Sequence, residues 1–292
     1  MVVRKAVLPV AGLGTRSLPA TKAIPKELLP IVDKPAIQYM VEECARAGLD
    51  DVLLVTSSGK SAIEDHFDRL GALEQLLAER GKTEDLALVR GLADIATVHS
   101  VRQPEPLGLG HAVLMAESHV GGASFAVLLG DDIVDPGAPF LERMLAVHED
   151  VGRSVLALME VPDDHTELYG IATVEPAGDD GYVNVVDLVE KPPRGEAPSN
   201  LAIVGRYVLS NDIFAALHET PPGRGGEIQL TDALRTQARQ QPIVGVKLDV
   251  PRYDVGDKLG YLQAIVEFAA RDDEFGEDFV AWLQTWMQER TQ

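Results

Sequence analysis

One cysteine, two tryptophans and seven histidines among 292 residues exclude several kinds of protein at once. The single Cys44 rules out an intramolecular disulfide framework and fits a reducing cytoplasm. The histidines are scattered without HxH or HExxH spacing, which argues against a zinc site. No apolar run approaches the roughly 18–20 residues needed to span a bilayer. The apolar run after Arg4 and Lys5 is cut by Pro9 and Gly12, so no signal peptide is expected. Positive charge is scarce too. Twenty-six basic side chains face 46 acidic ones, a formal charge of −20, which argues against wrapping nucleic acid. The class left standing is a soluble, cytoplasmic α/β protein with neither membrane nor nucleic acid as partner.

The scarce positive charge is concentrated. Residues 1–34 hold six basic side chains (Arg4, Lys5, Arg16, Lys22, Lys26, Lys34) and two acidic ones (Glu27, Asp33), a local +4. Within them the buried-strand pattern Ala6-Val7-Leu8 breaks into Ala11-Gly12-Leu13-Gly14-Thr15-Arg16, and Pro25-Lys26-Glu27-Leu28-Leu29-Pro30 follows. Gly12 and Gly14 let backbone N–H groups approach a ligand, and such a turn suits phosphate oxygens. Two familiar glycine loops do not fit. G-x-x-x-x-G-K-[ST] is absent, and Ser17 stands where G-x-G-x-x-G needs its third glycine. No acidic residue closes the strand Val52–Val55, so the ribose-binding carboxylate of a dinucleotide site is missing as well. Prolines 19, 25, 30 and 35 predict a stiff, extended loop over 17–35, with Pro35 opening a helix.

Ile37, Met40, Val41, Cys44 and Ala45 have helical spacing, which makes Cys44 a core residue. Residues 61–95 read as helical, 96–101 as a strand and 112–117 as a helix. Gln103 offers the donor and acceptor that a base edge requires, beside Gly108 and Gly110. The run Ser124–Leu129 ends in Gly130-Asp131-Asp132, where acids beyond a strand's carboxyl end could hold a cation or merely cap; Asp135 and Pro136 are expected to open the next helix. From Ser154 onward strand-like runs (154–160, 171–175, 183–189, 202–209) crowd together, predicting an antiparallel or mixed extension of the sheet. Helices are expected at 226–238 and 257–271. Phe275, Phe279, Trp282 and Trp286 form a stripe on a final helix, suited to packing on the body or on another subunit.

The loop at 11–16, P-K-E-L-L-P, Q-P-E-P-L-G-L-G-H-A, L-G-D-D, Y-G-I, V-E-K-P, G-R-Y, G-G-E-I-Q-L-T-D and D-V-G-D-K-L-G-Y occur here in one order. Together they resemble the sugar-phosphate nucleotidyltransferases, and within them the uridylyl-transferring branch. The resemblance implies a Rossmann-like, mixed but mostly parallel sheet flanked by helices, with a smaller antiparallel extension and C-terminal helices. It implies one domain over 1–292: a nucleotide-binding half (1–150), a sugar-phosphate half (151–256) and C-terminal helices (257–292). The implied partners are UTP and glucose 1-phosphate, the product UDP-glucose, the cofactor Mg²⁺, and the assembly a homodimer or homotetramer. Catalysis would fall to Arg16, Lys26 and Asp131. Ala11, Gly12, Gly14, Thr15, Arg16, Lys26, Glu27, Gln103, Gly108 and Asp131 would bind the nucleotide, with Ala11, Gly12, Glu27, Gln103 and Gly108 around the uracil. Gly170, Glu190, Lys191, Gly205 and Glu227 would bind the sugar phosphate, and Asp131 with Asp254 the metal.

Overall fold

In the computed structural model, which describes residues 2–177 and 181–290, β1 (Lys5–Pro9) opens the chain. A loop of three 3-10 turns and the two-residue strands β2 (Pro30–Ile31) and β3 (Lys34–Pro35) lead into α1 (Ala36–Arg46). Next come β4 (Asp51–Thr56), α2 (Ser61–Asp65), α3 (Gly71–Glu79), α4 (Thr83–Ala93) and β5 (Thr97–Arg102). Then follow α5 (Leu109–Leu114), α6 (Glu117–Val120), β6 (Phe125–Leu128), β7 (Asp132–Val134) and α7 (Phe140–Val151). The second half holds β8 (Val155–Glu160), β9 (Gly170–Pro176), β10 (Val183–Glu190), β11 (Leu201–Leu209), α8 (Ile213–Glu219), α9 (Leu230–Gln240), β12 (Ile243–Lys247) and β13 (Arg252–Asp254). Helices α10 (Lys258–Ala270) and α11 (Gly276–Arg290) close it.

Among the described residues one nine-stranded sheet runs β5-β4-β1-β6-β11-β8-β12-β10-β9. Its first four strands are parallel, joined by crossovers. β11 runs antiparallel to both β6 and β8, and β9 and β10 form an antiparallel pair. The expected antiparallel extension therefore continues the main sheet across β11, and the parallel character belongs chiefly to the first half. Alternation along β1 explains the layers: Ala6 and Leu8 face one core, with α1, α7 and α10, while Val7 faces the other, with α5, α8 and α9. A strand buried on both faces is mostly apolar, as β1 is over Ala6–Leu8; β11 carries one charged exception, the wholly buried Arg206, whose guanidinium pairs with Glu43 at 2.7 Å.

Several boundaries differ from the sequence reading. The proline-rich stretch folds into 3-10 turns and a β2–β3 bridge, and Pro35 precedes α1 instead of starting it. Helix α5 begins earlier, directly after Gly108, and stops at Leu114. Asp135 opens no helix; it caps the turn at Gly137 and pairs with Arg271, while α7 starts at Phe140. Cys44 is wholly buried, and burial pushes its thiol up, away from nucleophile chemistry. Trp282 and Trp286 lie near each other (ring centroids 6.4 Å apart) but remain 56% and 40% exposed, so the body of the chain does not cover this stripe.

Candidate active site

The ladder between β1 and β4 ends at Val10, whose N–H still bonds Val55 O at 2.9 Å. Buried Ala11 follows, and the chain then leaves the sheet at the carboxyl edge of its parallel strands. Gly14 adopts φ 64°, and a Cβ there would meet Lys26 and Thr21 side-chain atoms at 3.2–3.3 Å. Thr21 Oγ1 donates to Gly14 O at 2.7 Å, fixing the turn. Gly12 lies against the Lys26 stem, and Thr15 and Arg16 stand exposed on the next turn.

This fold-back aims Lys26 and Arg16 at one carboxylate. Lys26 Nζ lies 2.5 Å from Asp131 Oδ2, and Arg16 Nη2 lies 3.5 Å from the same oxygen. Burial alone would raise the Asp131 pKa, but the Lys26 ammonium and then the Arg16 guanidinium outweigh it and hold the carboxyl below its ordinary value.

Asp254 arrives from the far end of the chain through a two-stranded sheet. β7 and β13 pair antiparallel, placing Asp254 opposite Asp132, and Val255 N–H donates to Asp131 O at 2.9 Å. Gly256 is required here, since a Cβ would fall 2.5 Å from Asp131 Oδ2 and 2.8 Å from Arg16 Nη2. Burial raises the Asp254 pKa; Arg252 opposes the rise, and Asp131 and Asp132 add to it. A cation between Asp131 and Asp254 would relieve that repulsion, and a pair of carboxylates suits a hard ion that keeps waters and phosphate oxygens as its other ligands. Asp132 is engaged elsewhere: buried, it accepts from Gly205 N at 2.8 Å and Arg252 Nε at 2.6 Å.

On the other side of the loop, Gln103 is buried, and its amide nitrogen donates to Gly108 O (3.1 Å) and lies 2.9 Å from His111 Nδ1. Among the described residues its amide oxygen has no hydrogen-bond partner. Gly108 (φ 96°) packs so tightly that a Cβ would fall 2.7 Å from Glu227 Cβ and 2.9 Å from Ile228 O. Glu227 therefore stands against the Gln103–Gly108 loop, while the same segment carries Thr231 onward to the second half.

There, β9 and β10 set Gly170 opposite Glu190. Thr231 Oγ1 donates to Glu190 Oε2 at 2.7 Å, and Lys191 Nζ pairs with Glu190 Oε1 at 3.1 Å. A Cβ on Gly170 would lie 2.9 Å from Thr231 Oγ1. Lys191 takes φ 44°, unusual for a residue with a side chain, and its N–H is held by Tyr169 O at 2.9 Å. Gly205 backs onto Asp132, where a Cβ would fall 2.5 Å from Asp132 Oδ2.

The Glu27 side chain is 1% exposed: Lys60 Nζ lies 2.9 and 3.1 Å from its two oxygens and also donates to Val10 O at 2.5 Å. Burial raises the Glu27 pKa and lowers that of Lys60, each shift opposed by the partner's charge. Lys60, Thr231 and Arg252 escaped the sequence reading. Lys60 follows β4 in a Ser-Ser-Gly-Lys run, a signal that spacing alone gave no reason to connect with Glu27.

A family model described as nucleotidyl transferase matches residues 5–271. A UTP–glucose-1-phosphate uridylyltransferase of Bacillus subtilis (strain 168) is 50% identical over 290 residues, covering 99% of this chain and 97% of its own. A UTP-bound UGPase from Acinetobacter baumannii superposes with a TM-score of 0.90 at 43% identity, over 97% of this chain and 99% of its own. A UDP-glucose pyrophosphorylase complexed with UDP-glucose gives a TM-score of 0.83 at 40% identity, over 92% and 100%.

Proposed function

The chain belongs to the nucleotidyl transferase family, and from that premise we propose that it transfers UMP from UTP to α-D-glucose 1-phosphate, releasing pyrophosphate and UDP-glucose. The observation that carries this reading is the convergence of Lys26 and Arg16 on Asp131 at the mouth of the glycine loop. Attacker and target are both anionic, so the chemistry needs positioning and charge neutralisation more than a base or a covalent intermediate. Glycines 12 and 14 offer backbone N–H groups to the triphosphate. The Gln103 amide oxygen and the close Gly108 backbone read and seat the uracil. Glu190, steadied by Thr231, accepts from sugar hydroxyls, and Lys191 faces the phosphate. A phosphate oxygen of the sugar then attacks the α-phosphorus in line, while Lys26 and Arg16 stabilise charge on the departing pyrophosphate. Asp131 and Asp254 would hold Mg²⁺, which when bound supplies Lewis-acid neutralisation of the facing phosphates.

The uncovered Trp282–Trp286 stripe on α11 supports self-association into a homodimer or homotetramer, and a lone reduced Cys44 fits a cytoplasmic location. The test is pyrophosphate release from UTP and glucose 1-phosphate, with and without Mg²⁺, and with dTTP in place of UTP. Metal-dependent release that prefers UTP is expected. A preference for dTTP would move the base specificity, and no release with any triphosphate would overturn the enzymatic reading.

A further inference from the structure

At the amino ends of the parallel strands, a strand's length of about 17 Å from the glycine loop, three separate elements bring two histidines to one carboxylate. Asp51 opens β4, His99 lies on β5 across from Leu53, and His119 sits on α6. His119 Nε2 is 2.7 Å and His99 Nε2 3.8 Å from Asp51 Oδ1, and one ligand atom from each of the three lies within 4.8 Å of the other two. The ring centroids lie 5.0 Å apart, with the planes tilted by 54°. Ligands on a tetrahedral ion with bonds of ordinary zinc length stand about 3.3 Å from one another. Shifts of an ångström or less would bring this cluster to that geometry. The side chains are 49% (His99), 24% (His119) and 29% (Asp51) exposed, so an ion can reach them from solvent.

We propose that Asp51, His99 and His119 form a surface site for a divalent transition metal, separate from the carboxylate pair at the catalytic end. Two imidazoles and one carboxylate select zinc, nickel or copper over magnesium and calcium, which prefer all-oxygen shells. Water completes the coordination. Lys5 sets the strength: its ammonium is 3.6 Å from Asp51 Oδ2 and donates to His119 O at 2.5 Å, so it competes with the ion for the same carboxylate. An ion there would pin β5, the edge strand of the sheet, to β4 and α6.

Calorimetric titration of the full chain with Zn²⁺, in excess Mg²⁺ to occupy the catalytic carboxylates, tests the site. One Zn²⁺ per chain is expected. His99→Ala and His119→Ala should each weaken it at least about tenfold, the scale on which metal sites respond to lost partners. Lys5→Met should tighten it, and nucleotidyl transfer measured without zinc should stay unchanged in both histidine variants. Equal Zn²⁺ uptake by the wild type and the His99→Ala/His119→Ala double variant would overturn the proposal. So would a wild type that takes up none, which would leave His119 and Asp51 as a plain hydrogen-bonded pair. Because zinc uptake is read directly, failure here is distinguishable from failure of the catalytic reading.

Discussion

Replacing Lys60 with methionine keeps a side-chain stem of similar length and removes the ammonium, its charge and its N–H donors together. In the native chain that charge is met by both Glu27 oxygens and by Val10 O, in a setting where Glu27 is 1% and Lys60 8% exposed. Removing one partner of a buried pair leaves the other ion without compensation, and the expected loss is about 3–5 kcal/mol. The sign of the pH dependence follows from Glu27. Its folded pKa already lies above the unfolded value, so the folded state binds the extra proton in the interval between them and stability falls as pH rises across it. Without Lys60 the folded value climbs further, and the interval widens toward higher pH. Urea unfolding of Lys60→Met should therefore show a smaller deficit near about pH 5 than near about pH 8. Adding Glu27→Gln removes the stranded charge, so the double variant should recover more than half of the loss. A deficit under about 1 kcal/mol at every pH, the range of surface pairs, would refute the buried-pair reasoning. A double variant no better than the single would refute it as well.

Lys26→Met should lower kcat/KM for pyrophosphate release by about 10²–10³, the usual cost of one preorganised electrostatic group, while leaving the far-UV circular dichroism unchanged. Gly108→Ala forces a Cβ to within 2.7 Å of Glu227 Cβ at φ 96°, so the KM for UTP should rise and stability fall by about 1–3 kcal/mol, as overpacking does. Thr231→Val removes a donor to Glu190; the KM for glucose 1-phosphate should rise about tenfold, the scale of a hydrogen bond to a charged group, with the KM for UTP unmoved in steady-state kinetics.

The parts of the fold legible in the sequence were those written in local pattern. β1, β4 and β6 are continuous apolar runs because parallel interior strands bury both faces, and α1 shows its stripe because only one side meets the sheet. The prolines of 17–35 were read as stiffening an extended loop; Pro19 and Pro25 instead precede 3-10 turns, while Pro30 and Pro35 do lie in extended segments, the short strands β2 and β3. Asp131 was visible as an acid after a strand, but its partnership with Asp254 depends on the β7–β13 pairing, which no spacing announces. The pairing of Glu27 with Lys60 was hidden for a related reason: nothing near Glu27 in the chain shows that Lys60, 33 positions on, meets it in a buried ion pair. The proposed site at Asp51, His99 and His119 carries the same lesson, since histidine spacing along the chain is a poor guide when the residues come from two strands and a helix.

If Asp131 holds the metal and Lys26 the triphosphate, as proposed, the Lys26–Asp131 contact would couple the two ligands of the site. At 2.5 Å, with both side chains about one-fifth exposed, the ammonium would compete with a cation for Asp131 Oδ2. A metal arriving alone would have to displace it, and a triphosphate arriving alone would have to draw Lys26 from its carboxylate partner. With both present, Lys26 would turn to phosphate and Asp131 to the metal, so each binding event would remove the other's cost and the coupling would be positive and reciprocal. Removing the lysine should therefore strengthen metal binding in the absence of nucleotide while weakening UTP binding. Titration of Mn²⁺ by electron paramagnetic resonance, without nucleotide, should show Lys26→Met binding at least about tenfold tighter than wild type, or about 1.4 kcal/mol. The Mn²⁺-induced tightening of UTP should shrink in the same variant. If Mn²⁺ alone binds the variant no more tightly than wild type, Lys26 is not the competitor, and the site's two ligands are assembled independently.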